Sequence, residues 1–284
     1  SAGRIYEVLN APEDLTIKEE PAVEEEEHIV FDDVSFSYKG KTDNVSHISF
    51  KLKKGETLGI IGATGAGKST IINLLMRLYE RSSGSIRIGG RSVSSIPAEE
   101  LHTKFGVVFQ NDILFADTIR GNIDFGRNLP DEQIEKAARC AQAMEFIDGL
   151  PEKFEHMVTS RGTNLSGGQK QRVLLARALA GNSEILILDD SASALDFATD
   201  AALRKSLNRL DWKVTTFLVS QRSSSIQQAD LILVLDNGTL AGKGTHAELL
   251  RTCDTYREIY FSQFPEERAR YASVSADNIM EVTV

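Results

Sequence analysis

Two cysteines, Cys140 and Cys253, are too few and too far apart in a chain of 284 residues for a disulfide framework or a C-x-x-C metal or redox pair. A reducing, cytosolic setting is the expectation. Long apolar runs are also missing. The most apolar stretches, residues 184–188 and 231–235, fall far short of the roughly 18 consecutive apolar residues that mark a membrane span. Positive charge is in the minority, with 32 Lys plus Arg against 41 Asp plus Glu and a net charge of −9, which argues against broad nucleic-acid binding. The five histidines, His28, His47, His102, His156 and His246, show no metal-ligand spacing, and the single tryptophan, Trp212, reads as structural or surface. No internal repeat is visible.

What is present is the composition of a folding chain, 41% hydrophobic and 26% charged. Residues 1–10 read as the tail of an amphipathic helix, with Ile5, Val8 and Leu9 on one face, continuing from something longer. Residues 11–28 are proline-punctuated and acidic, with Glu24 to Glu27 consecutive, and predict an extended, solvated linker. Val34, Phe36 and Tyr38 alternate with polar residues, as do Ile48, Phe50 and Leu52, predicting two half-buried antiparallel strands. A compact apolar strand follows over 57–61, then a glycine-rich loop over 62–68 and a helix over 69–78. Two short helices are predicted within 130–149, another from Ser166 through Leu179, and apolar strands at 185–188, 215–219 and 231–235. Strands alternating with helices imply an α/β fold with a mainly parallel sheet.

Gly62-Ala63-Thr64-Gly65-Ala66-Gly67-Lys68-Ser69 fits G-x-x-x-x-G-K-[ST] between a strand and a helix, the context that pattern needs. Glycines at this spacing let successive backbone N–H groups turn inward around a phosphate at a helix N-terminus. The lysine neutralises β/γ oxygens and the serine can ligate Mg²⁺. A glycine turn that merely joins two elements would not explain lysine followed by serine. Asp189 closes the apolar run 185–188, where a carboxylate would face a metal from the C-terminal edge of the sheet.

Leu165-Ser166-Gly167-Gly168-Gln169, taken with this loop, resembles the signature of the nucleotide-binding domain of ATP-binding cassette (ABC) transporters. The resemblance covers about residues 29–250 and implies a P-loop NTPase core with an antiparallel β subdomain and an inserted helical subdomain at about 111–180. It divides the chain into the end of a transmembrane helix and an acidic linker (1–28), the cassette (29–252), and a C-terminal helix and mobile tail (253–284), to which no function is assigned. It implies ATP and Mg²⁺ as ligands. Tyr38 matches the aromatic that stacks on adenine, and Gly62, Thr64, Gly65, Ala66, Gly67, Lys68, Ser69 and Thr70 match the phosphate loop. Gln110 matches the glutamine that contacts Mg²⁺ and the attacking water, with Ser69 and Asp189 as further metal ligands, and residues 193–196 match the D-loop. Residues 109–123, FQNDILFADTIRGNI, look like exporter cassettes. The partners so implied are the transmembrane domain of an exporter, reached through its coupling helices at the cytoplasmic face of a membrane, and a second cassette. In that head-to-tail dimer Ser166, Gly167, Gly168 and Gln169 face the nucleotide of the other copy.

Two positions depart from the family pattern. Asp190 stands where a catalytic glutamate follows the metal-binding aspartate, one methylene short, and Gln221 stands where a histidine senses the γ-phosphate. With Lys68, Ser69 and Asp189 retained, the pattern predicts a site that holds ATP and hydrolyses it slowly, paired with a non-identical cassette that carries the competent residues. Residues 159–162, Thr-Ser-Arg-Gly, also depart from the Gly-Glu-Arg-Gly common in exporter cassettes. The competing readings are a non-transport ABC ATPase, which lacks support from paired cassettes or coiled insertions, and a regulatory nucleotide-binding module.

Overall fold

The computed structural model describes residues 17–40, 42–189, 197–207, 210, 212–268 and 271. The first strands form an antiparallel layer. β1 (Ile29–Phe36) pairs with β2 (Val45–Leu52) on one side and β4 (Ser83–Ile88) on the other, and β4 continues to the short β5 (Arg91–Ser92), giving the order β2-β1-β4-β5. Tyr38, expected to extend the alternation of β1, lies two residues beyond its end. The reason is local: β1 changes register between Phe31 and Val34 and again before Phe36, with Asp33 in the left-handed region at φ 53°.

The second sheet is built on β3 (Thr57–Gly62), whose Leu58 to Gly62 are buried throughout, as a strand covered on both faces must be. β6 (Phe105–Val108), β9 (Ile185–Asp189), β10 (Thr215–Val219) and β11 (Leu231–Asp236) run parallel with it, and β12 (Thr239–Gly244) turns back antiparallel through Asn237 and Gly238, both at positive φ. The order is β12-β11-β3-β10-β9-β6. The predicted mainly parallel α/β core is therefore present. Strands β4, β6 and β12 had no clear signal, because β6 has only four residues and β4 and β12 mix glycine and charged residues into runs without a steady apolar period.

Helix α1 (Lys68–Leu75) follows β3 and stops three residues short of expectation, where Arg77 takes a positive φ of 55°. Together with α2 (Ala98–Thr103) it belongs to a core that joins the antiparallel layer to one face of the parallel sheet, with Phe31 stacked on Phe50 at 4.5 Å and Phe50 edge-on to Phe217 at 6.5 Å. A second core gathers α3 (Ile119–Asp124), α4 (Asp131–Cys140), α5 (Met144–Asp148) and α6 (Gly167–Leu179) over the other face. The antiparallel pair β7 (Asp117–Thr118) and β8 (Met157–Val158) closes that helical insert. Helices α7 (Phe197–Leu207), α8 (His246–Thr252) and α9 (Asp254–Gln263) complete the fold. Cys140 and Cys253 are buried thiols.

Residues 17–28 carry neither helix nor strand, yet they are tied to the antiparallel layer. Val23 N–H donates to Gly90 O at 3.0 Å, and Arg87 clasps Glu25 through two bonds of 3.0 Å, which hold the Glu25 carboxyl below its usual range against the opposing effect of burial. The described part of the acidic stretch thus has no regular structure of its own, and Glu25 is spoken for.

Candidate functional site

The loop between β3 and α1 is shaped by glycine where no other residue fits. A Cβ on Gly62 would sit 2.3 Å from Leu235 O, and Gly67, the residue preceding α1, has φ +98° with Val45 Cγ1 at 2.7 Å from its virtual Cβ. No side chain caps α1, so its first N–H groups remain turned toward the loop. Lys68 Nζ donates to Gly62 O and Ala63 O, each at 2.8 Å, which folds the ammonium back over the loop.

The carboxyl ends of the parallel strands meet this loop. Asp189, the last residue of β9, is paired in register with Val219, the last of β10. Ser69 Oγ donates to Asp189 Oδ2 at 3.2 Å across 120 residues of sequence. Gln110, two residues past β6, and Gln221, two past β10, project into the same place. A cavity of about 300 Å³ is lined by Tyr38, Asn44, Thr64, Gly65, Gly67, Lys68, Ser69, Thr70, Gln110, Asp189, Val219 and Gln221. Gly62 and Ala66 shape the loop without lining the cavity. A larger cavity, about 620 Å³, opens near Lys53, Thr57 and Thr216 at the other end of the strands and contains no phosphate-loop residue.

Tyr38 is 43% exposed and stands on edge against both Phe36 and Tyr79, with centroids at 4.7 and 4.9 Å. Its backbone N–H donates to Asn44 Oδ1 at 3.0 Å, and its hydroxyl lies 3.4 Å from Thr70 Oγ1. Asn44 and Tyr79 were missed from sequence: each sits in a connection where neither period nor motif singles it out. The arrangement presents an aromatic face beside a phosphate-sized, cation-bearing loop.

Ser166, Gly167, Gly168 and Gln169 do not line this cavity; they open α6 on the helical insert. Ser166 Oγ accepts from Gln169 N at 3.2 Å while Gln169 Oε1 accepts from Ser166 N at 2.9 Å, a reciprocal cap. The Gln169 side chain is thus engaged within its own helix, whereas the space around Gly167 is open. Asp190 and residues 193–196 lie outside the described residues. Beside the insert an apolar face is exposed, with Phe109, Ile113, Phe115, Phe125 and Met157 each more than a third accessible. Arg177 stacks under Phe115 and Phe125 and donates to Asn122 O at 2.8 Å and Ile113 O at 3.1 Å, with burial holding its guanidinium pKa down.

A family model described as ABC transporter matches residues 45–193. The chain belongs to the ABC transporter family. It is 44% identical over 266 residues to a probable multidrug resistance ABC transporter ATP-binding/permease protein, YheI, of Bacillus subtilis strain 168, covering 93% of this chain and 46% of that protein. It is 40% identical over 272 residues to an ATP-dependent lipid A-core flippase of Coxiella burnetii, covering 95% and 46%. Among solved structures it is similar to a bacterial Atm1-family ABC exporter with ATP bound, at 35% identity and a TM-score of 0.83 over 92% of this chain and 47% of that one. The chain spans about half the length of the curated relatives it matches. Among the described residues no helix is long and apolar enough to cross a membrane.

Proposed function

We propose that this chain is the ATP-binding domain of an ABC exporter, that it holds Mg-ATP in the cavity between the phosphate loop and the strand ends, and that it hydrolyses this ATP slowly. The observation that carries the reading is the Ser69 hydroxyl at 3.2 Å from the Asp189 carboxylate, beside Lys68 and level with Gln110 and Gln221. A hydroxyl and a single carboxylate are hard oxygen donors, and Mg²⁺ takes one or two such protein ligands plus phosphate oxygens rather than a protein cage. The residues present fit it. Bound there, Mg²⁺ would supply positive charge to offset that of the phosphates. Ser69, Asp189 and Gln110 would hold it, Lys68 would turn from two neutral carbonyls to the phosphates, and Tyr38 would stack on the base.

On this reading Asp190, next in sequence to Asp189, takes the role of polarising the attacking water. A carboxylate drawn back by about 1 Å loses on the order of a hundredfold in rate with similar basicity. Gln221 donates a hydrogen bond to the γ-phosphate but adds no positive charge there. Because Ser166 and Gly167 lie outside the chain's own cavity, they are free to complete a site on a second, non-identical cassette, where the open N-terminus of α6 suits a γ-phosphate. The apolar face around Phe115 and Phe125 suits the coupling helices of a transmembrane domain and so supports a position at the cytoplasmic face of a membrane.

The test is ATP turnover by the assembled transporter before and after the paired change Asp190→Glu and Gln221→His. Turnover attributable to this chain's site should rise by about tenfold or more. If the unchanged chain already turns over as fast as the double variant, the slow-site reading is wrong.

A further inference from the structure

The C-terminal helix α9 ends against the segment that follows β10. The Gln263 side chain accepts at Oε1 from Ser223 N at 2.9 Å and from Ser223 Oγ at 3.0 Å, and its Nε2 donates to Gln221 O at 2.8 Å. The chemistry fixes the orientation of the amide, since two donors face one end and a carbonyl faces the other. One side chain thus grips the turn on both sides of Arg222. Ser223 is fully buried, whereas Gln221 lines the cavity with Lys68 and Asp189.

β10 ends at Val219, so the parallel ladder does not set the direction of residue 221. Ser220 remains anchored through its N–H to Ile60 O at 3.1 Å and accepts from Arg222 N at 3.0 Å through its own hydroxyl. The Gln221 carbonyl and the Ser223 amide are then fixed from outside the sheet, by a residue 40 positions further on. The support is itself anchored. Tyr256 of α9 is fully buried with its hydroxyl 2.7 Å from His246 Nδ1, and Tyr271 OH donates to Leu250 O at 2.7 Å, tying the chain beyond α9 back to α8.

We infer that Gln263 is a positioning residue of the nucleotide site: it fixes the peptide of Gln221 so that this side chain meets the γ-phosphate, and α9 thereby sets the preference of the site for ATP over ADP. The inference rests on the nucleotide reading given above. It requires no contact between Gln263 and nucleotide, and it gives the C-terminal helix a task at the nucleotide site through the bond from Gln263 to the Gln221 carbonyl.

Mg-ATP and Mg-ADP titrated calorimetrically into the 284-residue chain, with Gln263→Ala, Gln221→Ala and the double variant, test this. Gln263→Ala should weaken Mg-ATP about three- to tenfold, the equivalent of one or two hydrogen bonds, and leave Mg-ADP unchanged. In the Gln221→Ala background the same change should have no further effect, since the two act as one unit. Backbone hydrogen exchange should speed up at Ser223. Gln263→Glu keeps both acceptor contacts to Ser223 but turns a carboxylate oxygen toward Gln221 O in place of the donor, so it should retain Ser223 protection while weakening Mg-ATP at least as much as the alanine variant; it carries the test should the alanine variant not fold. Equal weakening of both nucleotides, no change in either, or full additivity with Gln221→Ala would overturn the inference. Failure of the unmodified chain to bind Mg-ATP would instead overturn the nucleotide reading on which it rests.

Discussion

Lys68 illustrates how a single side chain can be fixed by its neighbours before it acts. Its ammonium is held by two carbonyls at 2.8 Å, neutral acceptors that a phosphate outbids because it adds the attraction of an opposite full charge. Lys68→Ala should therefore lower Mg-ATP affinity by about ten- to a hundredfold in calorimetry, the span expected for losing a bond to a charged group. Urea-unfolding stability should change little, as the loop retains its glycines. Gly67→Ala should do the reverse: with φ at +98° and Val45 Cγ1 at 2.7 Å from the new methyl group, about 1–3 kcal/mol of stability should be lost, read from the urea midpoint.

Among the elements, β1 and β10 are joined by a buried histidine. His28 Nδ1 lies 2.7 Å from Thr215 Oγ1, which also accepts from Gly55 N at 3.1 Å, so the hydroxyl proton faces Nδ1 and Nε2–H faces Glu184 at 3.4 Å. Burial pushes the His28 pKa down, more than Glu184 pulls it up. For Glu184 burial acts upward, but Lys104, His28 and Lys54 together hold the carboxyl below its usual range. His246, half-buried, is shifted down as well by desolvation. Below about pH 6.5 the unfolded chain binds protons at these histidines that the folded chain refuses, so their contribution to stability is complete above that value and is lost as the pH falls. The urea midpoint should drop between pH 7.5 and 5.5. His28→Gln should flatten that drop without abolishing it, because His246 contributes in the same direction.

At the scale of the whole molecule the signature and the phosphate loop occupy separate places, one opening α6 on the helical insert, the other between β3 and α1. A variant can separate the capping role of Ser166 from a role toward a partner's nucleotide. Aspartate caps a helix as well as serine does but sets a negative charge where a γ-phosphate would lie. Ser166→Asp should therefore leave the melting temperature of the chain within about 2 °C while lowering ATP turnover of the assembled transporter at least tenfold. Unchanged turnover would favour a regulatory module over a motor domain.

The motifs were legible because their chemistry is local: a glycine loop, a lysine and a serine must be consecutive to wrap one phosphate, and Ser166 with Gln169 must be three apart to cap one helix turn. The apolar runs that became β3, β9, β10 and β11 were legible for a similar reason, since a strand buried on both faces needs an unbroken apolar stretch. What brought Ser69 to Asp189, set Tyr79 against Tyr38, or laid Gln263 across Gln221 and Ser223 is not local at all. Those contacts join residues 40 to 120 positions apart, and they exist only because the sheets and α9 pack together in space. The sequence by itself determined which groups could wrap a phosphate, because covalent spacing alone arranges them. Only the tertiary structure decided which distant side chains hold those groups in place, because sheet order and helix packing, not spacing, set their distances.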